Sequence, residues 1–502
     1  MARIAVIGAG MGALAAAARL AVAGHRVVVY ERTDTYGGAL RRFERDGFAF
    51  DTGPGLLPLP AVHRDLFVKT GKEPLEECVD LVQVDPSSRH VFADGTEVSL
   101  PNASRAGVVA ALDEALGSGT GERWGDFLVR AREAWDRTRR PLLEEPLWPN
   151  WQVLAEREPY PAVPHKRLLR TRRAGTLAEV GAWELRDPRL AALLESHAVE
   201  QGLDPRTTPA SAAVLPYMEH AFGTWYVRGG LRELARAVYE RCVARRVEFR
   251  FGAEVTGVLE KDGRASGVEL ADGAVAEADF VVAGLAPGLL GRLTAGTVLR
   301  GDGEVPPQPP AASRLTVLLA LRGDRPEGTP HRTVVHAADR EADLEALFGP
   351  AARRPRPTVT VLRPGDPALV PGPGHEAVTL TTVVPTGPGD ARPGEPWGDL
   401  AENMITVAER VVPDLRDRLL WQEVRTPADV ADATGADGGA VPVPALAAAG
   451  GRLLHPSNST RVPGLFTVGG WAHPGGGLPH AGMSGALVAG LIVEGPDFRG
   501  SQ

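Results

Sequence analysis

Residues 3–31 read RIAVIGAGMGALAAAARLAVAGHRVVVYE, and the order of residue types in this stretch decides the fold. RIAVI is an apolar run of strand length, closed by the cluster Gly8, Gly10, Met11, Gly12 and Ala13. LAAAARLAVAGH follows, dominated by alanine and leucine, the strongest helix formers. RVVVY is a second apolar run and ends on Glu31. Strand, glycine turn, helix, strand and terminal acid in this order predict the βαβ unit that binds a dinucleotide. Gly8 permits the tight turn, Gly10 lets a pyrophosphate approach the helix N-terminus, and Ala13 is small enough for helix and strand to pack closely. Glu31 stands 23 residues after Gly8, placed to accept hydrogen bonds from a ribose, and an acid there favours a ribose without a 2′-phosphate.

The rest of the chain bounds what such a unit can serve. A length of 502 residues suggests two or three domains. The net charge of −8 argues against a nucleic-acid partner, which would need a basic face. Cys78 and Cys242 are the two cysteines, so neither a disulfide framework nor a cysteine metal cluster is expected, and the thiols read as structural. The N-terminus enters an apolar strand at residue 3 without a signal-peptide pattern, which predicts cytoplasmic residence. Uninterrupted apolar runs fall short of the roughly 18–20 residues of a spanning helix, so membrane contact would be peripheral.

Three further stretches extend the first motif. Beyond Glu31 come Gly37-Gly38, Arg41, Arg42 and FAFDTGPGLL over 48–57. Residues 226–284 run through a glycine turn, an amphipathic helix, strands joined by a hairpin signal at Asp262-Gly263, and the buried strand DFVVA. Residues 464–490 read GLFTVGGWAHPGGGLPHAGMSGALVAG. Together these segments resemble the flavin-binding amine oxidase and phytoene desaturase superfamily, and the last is similar to the C-terminal series of its carotenoid (phytoene) desaturase branch.

The resemblance implies FAD as cofactor and an α/β architecture: a Rossmann-type FAD-binding domain with an inserted α+β substrate domain of mixed sheet plus helices. The FAD-binding domain would take 1–75, 226–290 and 424–502. The substrate domain would take 76–225, mostly helical, and 291–423, sheet plus helix, with SRLTVLLALR, PTVTVLRPG and AVTLTTVVPT as strands of one sheet. The helical stretches WGDFLVRAREAWDRTRRPLL and PRLAALLESHAVEQG would cover it. The expected cofactor-binding set is Gly8, Gly10, Met11, Gly12, Ala13, Glu31, Arg32, Gly37, Gly38, Ala39, Leu40, Arg41, Gly53, Pro54, Val255, Gly470, Gly477, Leu478 and Met483. Ala39 and Leu40 occupy the places right after the glycine pair, so Arg41 or Arg42 would supply the basic group at the pyrophosphate. The glycines 475–477 would bring backbone against the flavin, and a helix opening near Met483 would aim its positive end at the ring.

His480 departs from the branch's pattern and, as an imidazole beside the flavin, is a candidate proton acceptor together with His220. Tyr217, Phe222, Trp225, Trp471 and His473 are expected along the substrate tunnel. Amine oxidases of this superfamily place a lysine near flavin N5, yet no lysine follows Lys261. The implied activity is therefore an FAD-dependent dehydrogenase or desaturase that moves a hydride from a C–H bond of a hydrophobic, polyene- or isoprenoid-like substrate to flavin N5, forming C=C. O2 or a quinone would be the electron acceptor. Two rivals stay open. One is a flavin oxidase or aromatase acting on a carrier-tethered polyene or a small specialised metabolite, which a shorter, more polar tunnel would favour. The other is a non-catalytic prenyl-lipid carrier of the same fold, which would have no use for pyrophosphate contacts. Residues 137–173 mix basic clusters with Trp148, Trp151 and Tyr160, as either a solvated surface over core aromatics or a contact for membrane or acyl carrier protein.

Overall fold

The opening stretch forms β1 (Arg3–Ile7), α1 (Met11–Val22) and β2 (Arg26–Glu31) in a computed structural model that describes residues 1–148, 150–164, 170–295, 312–349, 356–386 and 397–500. Apolar residues alternate with nothing polar along β1 because both faces of the strand are covered, as in parallel sheets generally. Along the rest of the chain the elements that position the site are β3 (Ser88–Val91), β4 (Glu97–Leu100), α2 (Thr120–Arg139), α3 (Pro188–Glu200), α4 (Val214–Phe222), α5 (Arg232–Ala244), β5 (Glu248–Phe251), β6 (Phe280–Ala283), β7 (Ala312–Arg322), β8 (Arg332–Val335), β9 (Val359–Leu362), β10 (His375–Pro385), α6 (Trp397–Ala408), β11 (Leu419–Arg425), α7 (Pro427–Thr434), β12 (Leu465–Thr467) and α8 (Leu478–Val493).

Two sheets organise the molecule. The first is parallel, in the order β5-β2-β1-β6-β12, with α1, α5 and α8 packed on one side of it. Residues from three distant parts of the chain thus meet in one Rossmann-type unit. Close approach of α1 and α8 depends on glycine: a Cβ on Gly12 would lie 2.7 Å from Gly469 Cα, and one on Gly485 would lie 2.6 Å from Gly12 O. The packing role expected of Ala13 therefore falls chiefly on Gly12, whose missing side chain makes room for α8 and the segment before it.

The second sheet has seven strands in the order β11-β7-β10-β9-β8-β3-β4. Only β8 and β3 pair in parallel; the other neighbours are antiparallel. Strand alternation gives it two unlike faces. Leu315, Val317, Leu319, Val359, Val361, Val378 and Leu380 are buried together with Met404, Ile405 and Ala408 of α6. Arg314, Thr316, Thr360 and Thr381 occupy the opposite face, toward α3 and the Rossmann unit.

One expectation changes here. The helix α2 does not cover the sheet: Trp124, Phe127, Leu128 and Trp135 join Leu193 and Leu194 of α3 in a separate helical core, and α6 covers the sheet instead. Residues 76–225 contribute strands as well as helices, since β3 and β4 extend the far edge of the second sheet. In 137–173, Tyr160 is fully buried with its hydroxyl donating to Glu184 at 2.8 Å, and the Trp148 indole donates to Glu145, so these aromatics turn inward; residues 149 and 165–169 of that stretch lie outside the described residues. Among the described residues no helix is long and apolar enough to cross a membrane, and no group of three or more His, Cys, Asp or Glu side chains is placed to hold a metal ion.

Candidate active site

A cavity of about 650 Å³ runs from the glycine turns of the Rossmann unit to the polar face of the second sheet, a volume typical of small-molecule sites. Its first end is built from backbone. Gly8 (φ +87°) donates its N–H to Tyr30 O, closing the β1–α1 turn. Gly10 then caps α1 with no side-chain partner, so the first N–H groups of the helix and its positive end face the cavity. The second glycine turn stacks on the first: Gly37 N–H donates to Ala9 O, and a Cβ on Gly38 would lie 3.0 Å from Gly10 Cα. Gly53 sits beneath this pair, where a Cβ would fall 2.2 Å from Ala39 O.

Acidic and basic side chains frame this cradle. Glu31 is 8% exposed; one carboxylate oxygen accepts from Ala9 N–H at 2.8 Å and the other from the Thr33 amide and hydroxyl, both at 2.9 Å. Arg41 donates to Gly38 O and Thr33 Oγ1, which leaves it one side chain away from Glu31; burial lowers its guanidinium below its ordinary value, with Glu31 opposing. Arg42 turns the other way, to Gly229 O, Glu44 and Glu233. Of the two candidate arginines, Arg41 is the one beside the cradle. Asp51 of the FDTGP stretch caps α5 from outside, accepting from Leu231 and Arg232 N–H, and burial raises its carboxyl to about 6 against those two bonds.

The remaining walls come from the chain's later segments. Ala253, Glu254, Val255 and Leu289 close the cavity beyond Glu31, while Val441, Pro442, Gly470, Trp471, Gly477 and Leu478 form its middle. Gly477 caps α8, which therefore opens at Leu478, five residues ahead of Met483; Met483 is buried in the helical core and does not reach the cavity. Gly475 and Gly476 are glycine for a different reason from the one expected. A Cβ on Gly476 would lie 1.8 Å from Pro442 O and one on Gly475 would lie 2.6 Å from the His455 ring, so these glycines fold the loop onto residues 442–455, and only Gly477 borders the cavity.

Of the expected cofactor set, all but Arg41 and Met483 line the cavity directly. The expected tunnel and catalytic residues fare differently, because α4 turns a different face inward. Leu215, Met218 and Glu219 line the cavity, whereas Tyr217 and Phe222 pack on Trp135. Trp225 donates to Phe222 O under the Arg64 guanidinium, and His220 is likewise absent from the lining, its pKa lowered by burial and by Arg105. Trp471 alone of the expected tunnel residues borders the cavity; His473 is fully buried with its ring bonded to Glu145 O at 2.9 Å. His480 faces a separate space of about 20 Å³ between α2, α4 and residues 444–446, room for one water, and burial brings it down to about 4.

At the far end the lining is more ionic than the sequence suggested. Arg332 donates to Glu200 at 2.7 Å and to Glu219 at 3.0 Å, and Thr360 donates to the second oxygen of Glu200. Burial pushes Glu200 toward the neutral acid, but the Arg332 charge and hydrogen bond, with His197 and the Thr360 bond, together outweigh it and its carboxyl titrates below the usual range. His336 meets His90 at 3.0 Å and His90 meets Ser88 at 3.0 Å; burial holds His336 at about 4. Arg314 and Thr316 project from β7 into the same space. One signal for this face was present: an arginine and threonines alternate with aliphatic residues in SRLTVLLALR and PTVTVL.

The cradle fits an FAD on these observations. Two backbone turns approach each other where any side chain would intervene, an uncapped helix end opens onto them, and a buried carboxylate stands at the end of β2. The family described as flavin containing amine oxidoreductase matches residues 14–316. Over 98% of both chains, this sequence is 30% identical to a 4,4'-diapolycopene oxygenase of Methylomonas sp, and over 98% of this chain and 97% of the other it is 28% identical to a hydroxyneurosporene desaturase of Rhodobacter capsulatus. Among solved structures, an oxidoreductase of Methanosarcina mazei superposes with a TM-score of 0.65 at 19% identity, covering 97% of this chain and 99% of that one.

Proposed function

The chain belongs to the flavin containing amine oxidoreductase family and is an FAD-dependent oxidoreductase, and from that premise we propose that it dehydrogenates a conjugated polyene substrate. The observation that carries the reading is the continuity of one cavity from the glycine cradle to the second sheet, in a chain whose relatives along its whole length are named for linear carotenoids. When bound, FAD supplies the two-electron acceptor for a substrate C–H bond. The chain's own residues do the rest. The α1 N-terminus and Gly10, Gly37 and Gly38 hold the pyrophosphate, Glu31 the ribose, and Arg41 compensates charge beside them. Trp471, Leu478, Leu215 and Met218 give the middle of the cavity apolar walls that position a polyene and exclude water. O2 or a quinone would be the electron acceptor. The reaction is assigned to the cytoplasm, with membrane or acyl-carrier contact delivering the substrate at a surface other than the inward-turned aromatics of 137–173.

The ionic far end favours the narrower of two substrate readings. A fully hydrocarbon carotenoid gains nothing from Arg314, Thr316 and Thr381, whereas a shorter polyene with an oxygenated end does. The test is the visible spectrum of purified protein, identification of the released chromophore, and anaerobic bleaching by polyenes with and without a polar end. Released FAD and bleaching support the reading; a colourless protein that takes up no FAD overturns it.

A further inference from the structure

We propose that Arg314 anchors an anionic, carboxylate-type end of the substrate where the second sheet lines the cavity. This deepens the reading given above and rests on it. Arg314 lies on β7, paired in register with Val383 of β10, and its side chain lines the cavity. Among the described residues nothing accepts a hydrogen bond from its guanidinium and no carboxylate pairs with it.

The other charged groups at that end are committed. Arg332 is held by Glu200 and Glu219, Arg340 by Glu195 and Glu341, and Asp343 accepts from Thr358. The charge of Glu200 acts on Arg314, yet its two oxygens already accept from Arg332 and Thr360. An enclosed charge needs a partner, and arginine cannot escape by losing its proton. The guanidinium fork matches the two oxygens of a carboxylate.

Its surroundings suit the same ligand. Thr316 and Thr381 are cross-strand neighbours on this face and bring hydroxyl donors beside Arg314. The cofactor is not the partner this position serves. Phosphate contacts are assigned to the glycine cradle of the Rossmann unit, whereas Arg314 stands on β7 of the second sheet.

The experiment uses the FAD-loaded protein and two probes, all-trans-retinoic acid and its methyl ester, with binding read from tryptophan fluorescence quenching. Wild type should bind the acid about 10- to 100-fold more tightly than the ester, the range of a charge-assisted bonded pair. Arg314→Met should remove that preference with FAD content unchanged, and Arg314→Lys should keep part of it. Equal binding of acid and ester by wild type overturns the proposal without recourse to any variant, as does an Arg314→Met protein that still prefers the acid. Loss of FAD in Arg314→Met with the acid preference intact would assign Arg314 to the cofactor and also overturn it. Failure of the flavoenzyme reading shows separately, as wild-type protein without FAD.

Discussion

Gly10 and Gly12 are two residues apart and look interchangeable in the sequence, but the structure gives them opposite reasons for being glycine. Gly10 has extended backbone (φ −72°, ψ 164°), which any residue adopts, and a Cβ built on it meets nothing within 4 Å because it points into the cavity. Gly12 would place its Cβ 2.7 Å from Gly469 Cα and 3.0 Å from Ala481 O, both backbone. Ordinary contact needs roughly 3.5 Å or more, so backbone would have to move by most of an ångström. Gly12→Ala should therefore cost about 1–3 kcal/mol of stability whether or not cofactor is present. Gly10→Ala should leave the apoprotein within about 1 kcal/mol of wild type, since reduced freedom of the unfolded chain offsets the poorer helix cap. It should weaken FAD binding by about 5- to 150-fold, the equivalent of a 1–3 kcal/mol steric conflict with a ligand seated against that backbone. Urea denaturation of the apoproteins and FAD titration followed by flavin fluorescence separate the two quantities. A Gly10→Ala protein that binds FAD with wild-type affinity would refute the placement of the pyrophosphate, and one that loses stability as apoprotein would refute the open-space geometry.

Other outcomes follow from side chains already placed. Glu31→Gln replaces one acceptor oxygen by an NH2 among the donors of Ala9 and Thr33 and should lower FAD occupancy at purification; full occupancy would end the ribose assignment. His480→Ala should leave the rate of flavin reduction unchanged, because the ring faces the water-sized pocket and not the cavity; a tenfold slowing would restore it as a proton acceptor. His63, His336, His455, His473 and His480 all fall to about 4 from 6.5 in the folded protein, each through burial. Between those values the unfolded chain binds protons that the native state does not, so stability falls as pH drops from about 6.5 toward 4, by at most about 1.4 kcal/mol per histidine per pH unit. A urea midpoint that stays level between pH 6.5 and 4.5 would contradict this neutral, buried state.

How far the sequence could be read depended on whether a residue's neighbours are near it in the chain. The β1–α1–β2 unit is local: its strands, turn and helix lie within 3–31, and propensity, glycine spacing and terminal acid agree with one another. The glycines at 475 and 476 show where such reading stops. Composition required a pliable loop, but only the fold reveals that the close neighbours are Pro442 and His455 of the same protein, not a ligand. The orientation of α4 was lost for a similar reason. Its residues 214–222 are apolar or aromatic around much of the helix, so the pattern does not choose between the face carrying Leu215, Met218 and Glu219 and the face carrying Tyr217 and Phe222.

The second sheet carries this furthest, because its strand order is non-local throughout. Placement of β3 beside β8 joins residues 88–91 to 332–335, and that pairing brings His90 against His336 at the edge of the cavity. In the same way β7, β10 and β9 set Arg314, Thr316, Thr381 and Thr360 on one face, although each strand contributes only one or two of these four residues. Read singly, each polar residue is an ordinary strand position with an exposed side. Read together across the register, they form a polar surface that α3 and the Rossmann unit enclose, and enclosure changes the energetic question from why they are polar to what satisfies them. Arg332 is satisfied within the protein by Glu200 and Glu219, which explains its presence as structure. Arg314 has no such partner among the described residues, and the reasoning that makes Arg332 architectural is what supports the binding role proposed for Arg314.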